Sequence, residues 1–194
     1  MHIPYTADTR PDTGVTNPQL GFWLFVASEL MLFGSLFSAY ALLRTGAASW
    51  PDQSAVLNVP LGAVNTVILL VSSLTLAASG AGKVASALRR KSLALTAVLG
   101  LAFLVIKGFE YSEKLGAGLG PATNNFLGLY YVFTGLHALH LAVGILVLAY
   151  LWGPGARMQD LEPQRFAQRI RIAALYWHFV DGLWISIFVV LYLL

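Results

Sequence analysis

The chain has 194 residues, of which 57% are hydrophobic and only 11% charged, with a net charge of +3. That is too apolar and too charge-poor for an ordinary water-soluble domain. It contains no cysteine, which excludes disulfides, iron–sulfur clusters and a thiolate copper site.

Residues 1–17 are polar, include Pro11, and lack the apolar run of a signal peptide. They are expected to form a cytoplasmic N-terminal arm. Five apolar segments follow, at about 18–43, 60–79, 92–112, 125–152 and 171–194. Each supplies the roughly 20 residues that a membrane-spanning helix needs. The expected fold is therefore all-α: one polytopic bundle of five transmembrane helices occupying residues 18–194. Pro60 suits the first turn of the second span, Gly80 and Gly82 its end, and Gly153-Pro154-Gly155 the end of the fourth.

The distribution of lysine and arginine orients the bundle. Arg10, Lys83, Arg89, Arg90, Lys91, Arg157, Arg165, Arg169 and Arg171 fall on one side, nine of the twelve basic residues. Arg44 and Lys114 fall on the other, and Lys107 lies inside the third span. The N-terminus is expected inside the cell and the C-terminus outside. Small and hydroxyl residues recur every seven positions: Gly21, Ser28 and Ser35; Asn65, Ser72 and Ser79; Gly128, Gly135 and Ala142. They read as packing stripes that let helices approach closely. No internal repeat or Gly/Pro break of the kind found in transporters is visible.

Ionisable groups inside these spans are the candidates for function, because such groups are costly in hydrocarbon. Glu29 lies about eleven residues into the first span, roughly 16 Å along its axis at 1.5 Å per residue. It is either a proton-handling carboxyl or a neutral, hydrogen-bonded acid that fixes packing. His137 and His140, three apart near the middle of the fourth span, lie on one face. Two imidazoles could ligate a metal, but the other two histidines, His178 and His2, are too few and too dispersed for a multi-haem or haem–copper centre. Hydrogen bonding to a neighbouring helix, a partner or a lipid is the alternative. His178 and Asp181 read as an ion pair anchoring the last helix. Lys107 and Glu110 pair at the outer end of the third span, where Lys107 can also snorkel outward, and Glu113 and Lys114 are expected to be solvated. No phosphate loop, nucleophile elbow or zinc spacing is present.

Several motifs now stand in order: Trp23-Leu-Phe-Val-Ala-Ser-Glu29; Trp50-Pro51; Leu61 to Ser73; Lys107-Gly-Phe-Glu110-Tyr111; Thr134-Gly-Leu-His137-Ala-Leu-His140; and Tyr176-Trp-His178-Phe-Val-Asp181-Gly-Leu-Trp184. From about Phe22 to the end, the chain resembles subunit III of the haem–copper terminal oxidases, in its five-helix form. The resemblance implies a cofactor-free subunit of a proton-pumping oxygen reductase, in the aerobic respiratory chain of a bacterial plasma membrane. Haem and copper would reside in partner subunits, fed by cytochrome c or quinol. The chain would bind catalytic subunit I, hold phospholipid in a V-shaped cleft and support proton uptake. Glu29 matches the family's buried carboxyl and His140 a histidine near the cleft lipids. His137, His178, Asp181, Lys107 and Glu110 match motif positions read as structural. Arg157 stands in for an arginine that the family has close to Pro154, and Arg171 departs from an acid in many members. An accessory subunit of a nitric oxide reductase and a small proton-coupled transporter are the rival readings.

Overall fold

The computed structural model describes Tyr5, residues 7–80 (the side chains of 79 and 80 excepted) and residues 86–194. His2, Gly82, Lys83 and the Ser79 side chain, each named above, lie outside the described residues. The elements in order are α1 (Asn17–Gly46), α2 (Gln53–Val56), α3 (Val59–Gly80), α4 (Ser86–Gly116), α5 (Asn125–Trp152), a 3₁₀ turn (Pro154–Arg157), α6 (Met158–Leu161) and α7 (Pro163–Phe188). A π-helical turn, Val189–Leu193, finishes α7. Five helices, α1, α3, α4, α5 and α7, are long and apolar enough to cross a membrane.

Helix ends follow local chemistry. At the start of α1, Gln19 Oε1 accepts hydrogen bonds from the Thr16 backbone N–H and hydroxyl at 3.1 and 3.2 Å. The Asp52 carboxylate caps α2 by accepting from the Ser54 N–H at 3.0 Å, and the Asn124 side chain caps α5 through the Leu127 N–H at 2.8 Å. Gly153 closes α5, its N–H reaching the Ala149 carbonyl at 2.9 Å. Two helices outrun the apolar runs that announce them. α4 starts at Ser86 and α7 at Pro163, not at 92 and 171. The extra turns contain Arg89, Arg90, Lys91, Arg165 and Arg169, residues that favour helix but would not lie in hydrocarbon.

α3, α4, α5 and α7 pack into a four-helix bundle, and α1 lies against α5 and α7 at its side. The most apolar stretch of α1 is 17% buried, against 39% for those of α5 and α7. Contacts at the two ends show alternating helix directions. At one end the Gln168 amide donates to the Thr16 hydroxyl, Arg169 donates to the Tyr150 hydroxyl at 3.3 Å, and Arg90 sits 4.7 Å above the Trp152 ring. At the other, Tyr40 donates to the Val190 carbonyl at 3.2 Å and Lys114 to the Val56 carbonyl at 2.5 Å.

The core is large and aromatic: Phe103, Trp177 and Trp184 are almost fully buried. Trp177 is seated because α4 and α5 present glycines to it. A Cβ on Gly100 would lie 2.7 Å from Trp177 Cη2, and one on Gly144 3.1 Å from the same indole. The seven-residue stripes divide. Asn65 and Ser72 are buried, and Ser72 Oγ accepts from Trp177 Nε1 at 2.9 Å. Gly21, Ser28 and Ser35 face outward on α1, away from the other helices of this chain. Ser28 and Ser35 close onto their own helix, donating to the carbonyls of Phe25 and Leu32.

Candidate functional site: paired polar groups within the span

Glu29 and His140 meet on the α1–α5 seam. Glu29 Oε2 lies 3.1 Å from His140 Nε2, and the two side chains are 15% and 13% exposed. The approach is close but bent away from hydrogen-bond geometry, so Oε2 has no hydrogen-bond partner among the described residues. His140 Nδ1 is 2.8 Å from the Leu136 carbonyl oxygen. A carbonyl can only accept, so Nδ1 bears a proton and Nε2 is left to face Glu29. The contact therefore brings a carboxyl oxygen of α1 and a ring nitrogen of α5 into ion-pair range across the seam. Phe25, Phe33 and Tyr176 wall it off, and Tyr176 donates to the His140 carbonyl at 2.9 Å.

His137 does not share this environment. It is wholly buried between Phe103 and Trp184, with ring centroids at 5.4 and 5.1 Å. Neither of its ring nitrogens has a hydrogen-bond partner among the described residues. Spacing by three puts the two histidines only some 60° apart on the helix, yet α1 receives one and the α4/α7 interior the other.

Lys107 and Glu110 pair as expected, at 2.8 Å, but both are buried and Lys107 does not snorkel. Glu110 also accepts from the hydroxyls of Tyr130 at 2.8 Å and Tyr192 at 3.1 Å, and Lys107 donates to Tyr192 at 2.5 Å. Lys114, expected to be solvated, is buried and 4.0 Å from Glu110. The cause is the short helix α2 between α1 and α3, whose Val56 carbonyl lies over the end of α4 and receives the Lys114 ammonium. The result is a knot of charged and phenolic groups tying α4, α5 and α7.

His178 and Asp181 are not a direct ion pair. Ser73 of α3 stands between them: its hydroxyl donates to Asp181 Oδ2 and lies 3.0 Å from His178 Nδ1. Asp181 is buried, its Oδ1 without a hydrogen-bond partner among the described residues, while His178 is exposed. Ser73 and the Tyr130–Tyr192 pair are the participants that spacing along single helices could not reveal, because each acts across a seam. Arg157 is exposed at the end of the 3₁₀ turn. Among the described residues no three His, Cys, Asp or Glu side chains converge as a metal-binding set.

The chain is similar to known proteins over nearly its whole length. The family profile for cytochrome c oxidase subunit III matches residues 12–194. The chain is 34% identical to a cytochrome bo(3) ubiquinol oxidase subunit 3 of Pseudomonas aeruginosa, over 99% of this chain and 91% of that protein. It is 36% identical to a cytochrome c oxidase subunit 3 of Thermostichus vulcanus, over 97% and 90%. It is also 34% identical over 88% of its length to part of a heme-copper oxidase subunit I+III of Aeropyrum pernix, covering 22% of that longer protein. With an all-helical bundle of five membrane-length helices and a match that runs from the arm to the last residue, this chain belongs to the cytochrome c oxidase subunit III family.

Proposed function

We propose that the chain is a redox-inactive subunit of a proton-pumping haem–copper oxygen reductase in a bacterial plasma membrane. Its N-terminus lies in the cytoplasm and its C-terminus outside. It binds and stabilises catalytic subunit I, which with other subunits holds the haem and copper and receives electrons from cytochrome c or quinol. The observation that carries this reading is how the intramembrane polar groups are used. Glu29 faces His140, Lys107 and Lys114 face Glu110, and Asp181 holds Ser73, each across a seam or along a buried helix face. Such pairs tie helix to helix inside the membrane-length segments, as expected of a scaffold subunit. The natural fusion of subunits I and III in the Aeropyrum relative supports an intimate association with subunit I.

Lipid binding and proton uptake belong to the same reading. An apolar groove of about 300 Å³ opens between Phe22 of α1, Val143 and Val147 of α5, and Ala173 and Tyr176 of α7. Arg169 lines it at the end where the basic residues gather. This is the shape for an acyl chain with its phosphate beside a guanidinium. Tyr176 borders both this groove and the Glu29–His140 pair, so a lipid seated there would shield that pair from water. Glu29 is the proton-linked carboxyl of this proposal. In this reading His140 and Arg157 are the polar residues assigned to lipid, and His137, His178, Asp181, Lys107 and Glu110 are structural.

The test is purification of the tagged chain from its native membranes in mild detergent. A haem–copper catalytic subunit should co-purify with it, together with phospholipid. After dissociation the chain itself should show no Soret band. Recovery of a nitric oxide reductase instead, or stoichiometric haem on the isolated chain, refutes the assignment.

A further inference from the structure

Another cavity lies at the end of the bundle where the basic residues gather. It has a volume of about 380 Å³ and opens among the start of α4, the end of α5, the short turns that follow it and the start of α7. Its inner wall is apolar: Leu93, Leu151 and Phe166 line it and are each 2% exposed. The rest of its lining is polar and includes Ser86, Arg89, Arg90, Gln159 and Asp160. The apolar run of α4 begins near residue 92 and that of α5 ends near residue 152. The cavity therefore straddles the level where hydrocarbon gives way to headgroups. It shares only Leu151 with the lining of the groove beside Tyr176.

Both arginines are placed by aromatic rings that also line the cavity. The Arg90 guanidinium lies 4.7 Å from the Trp152 ring centroid, and that of Arg89 lies 6.0 Å from the Phe166 centroid. Among the described residues the Arg90 guanidinium forms no hydrogen bond and no ion pair. A guanidinium carries five N–H donors in a fixed fork that matches phosphate oxygens. Asp160 is exposed and forms no ion pair among the described residues. Two cations against one carboxylate leave the cavity with an excess of one positive charge. A soluble anion would gain from the arginines alone. An anionic amphiphile gains from them and from the buried apolar wall as well.

We propose that this cavity is a headgroup site for an anionic phospholipid of the phosphatidylglycerol class, distinct from the groove beside Tyr176. The phosphate is held by Arg89 and Arg90. The glycerol hydroxyls donate to Asp160 and Gln159, which gives the carboxylate a role in a site for anions. The first carbons of the acyl chains lie against Leu93, Leu151 and Phe166. The site rests on the membrane placement proposed above and adds to it a second lipid, selected by charge.

The test titrates phosphatidylglycerol, phosphatidylethanolamine, phosphatidylcholine and inorganic phosphate into the delipidated protein, with binding read by native mass spectrometry. It uses the full chain with whatever subunits accompany it from its native membrane, so the outcome does not depend on which complex that is. Phosphatidylglycerol should bind about tenfold more tightly than the two zwitterionic lipids. Arg90→Gln should lower that preference about fivefold, and Arg89→Gln/Arg90→Gln should abolish it. Glutamine is a good helix former, so these variants should fold, and their amount in the membrane is measured alongside. The same drop should appear in an Arg169→Gln background, because that residue lines the other groove. A photo-crosslinking side chain at position 159 should label lipid. An unchanged preference in the double variant, or equal binding of the three lipids, overturns the proposal. So does a drop that vanishes in the Arg169→Gln background, which assigns the lipid to the groove. Binding of inorganic phosphate without a preference for phosphatidylglycerol overturns the lipid as its source. A crosslink to another subunit alone gives the cavity to that subunit and overturns it too.

Discussion

Replacing Glu110 with glutamine should be among the most damaging polar substitutions in the bundle. The side chain is 2% exposed and receives Lys107 at 2.8 Å, Tyr130 at 2.8 Å and Tyr192 at 3.1 Å, with Lys114 at 4.0 Å. Glutamine keeps the volume and one acceptor oxygen, so packing and the phenol hydrogen bonds persist while the negative charge is lost. Two buried ammonium groups would then share a site with no anion. Breaking a buried ion pair by removing one partner costs about 3–5 kcal/mol. Each lysine keeps an acceptor, Tyr192 for Lys107 and the Val56 carbonyl for Lys114. The rings of Trp184, Tyr192 and Tyr130 also lie 5.0, 5.1 and 5.3 Å from Lys107 Nζ. These contacts favour the lower end, about 3 kcal/mol.

The assay is SDS-driven unfolding of the purified chain in detergent micelles, followed by the fluorescence of tryptophan, since Trp184 borders the cluster. A second substitution sharpens it. In Lys107→Met/Glu110→Gln the uncompensated ammonium of Lys107 is gone, so the double variant should recover about 1–2 kcal/mol relative to Glu110→Gln. A single variant within about 1 kcal/mol of the parent, or a double variant no better than the single, would refute the charge argument.

Gly100→Ala should cost about 1–3 kcal/mol in the same assay, because the added methyl meets Trp177 at 2.7 Å and Ile145 at 3.2 Å. Gly108→Ala, which meets nothing within 4 Å, should not destabilise the chain. Glu29→Gln should abolish reaction with a hydrophobic carbodiimide while leaving the protein assembled; undiminished labelling would assign the reactive carboxyl elsewhere, Asp181 first. In the arm, the Arg10 guanidinium, bound to Asp12 at 2.9 and 2.8 Å, pulls that carboxyl from 3.8 down to about 2. Because the folded value is the lower one, the contribution of this contact is full above pH 3.8 and disappears as pH falls through about 2. Carboxyl NMR should show that midpoint, and Arg10→Gln should return it toward 3.8.

The span content of the chain was legible before any coordinates. Apolar runs at the first and fourth spans correspond to α1 and α5 within three residues at each end. Less legible were the starts of α4 and α7, because arginine and lysine continue a helix after hydrophobicity has stopped. α2 is four residues long and is held by the Asp52 cap, too short to leave a periodic pattern. Among the polar groups, the Lys107–Glu110 contact could be seen as neighbours on one helix. Lys114 could not, because its acceptor is the Val56 carbonyl, 58 residues earlier in the chain.

By itself, then, the order of residues determined that this is a membrane bundle of five helices and which ionisable groups lie within it. Both follow from a one-dimensional requirement: an apolar run must match the thickness of a bilayer, and an exception to it stands out. Only the tertiary structure decided which partner each exception meets. Glu29 meets His140 because α1 leans on α5, and His137 turns inward because α4 and α7 close over it. Ser73 separates His178 from Asp181 because α3 crosses α7 at that level. Those pairings depend on which helix faces which, and that is set by the summed packing of residues far apart in the chain, glycine against tryptophan above all.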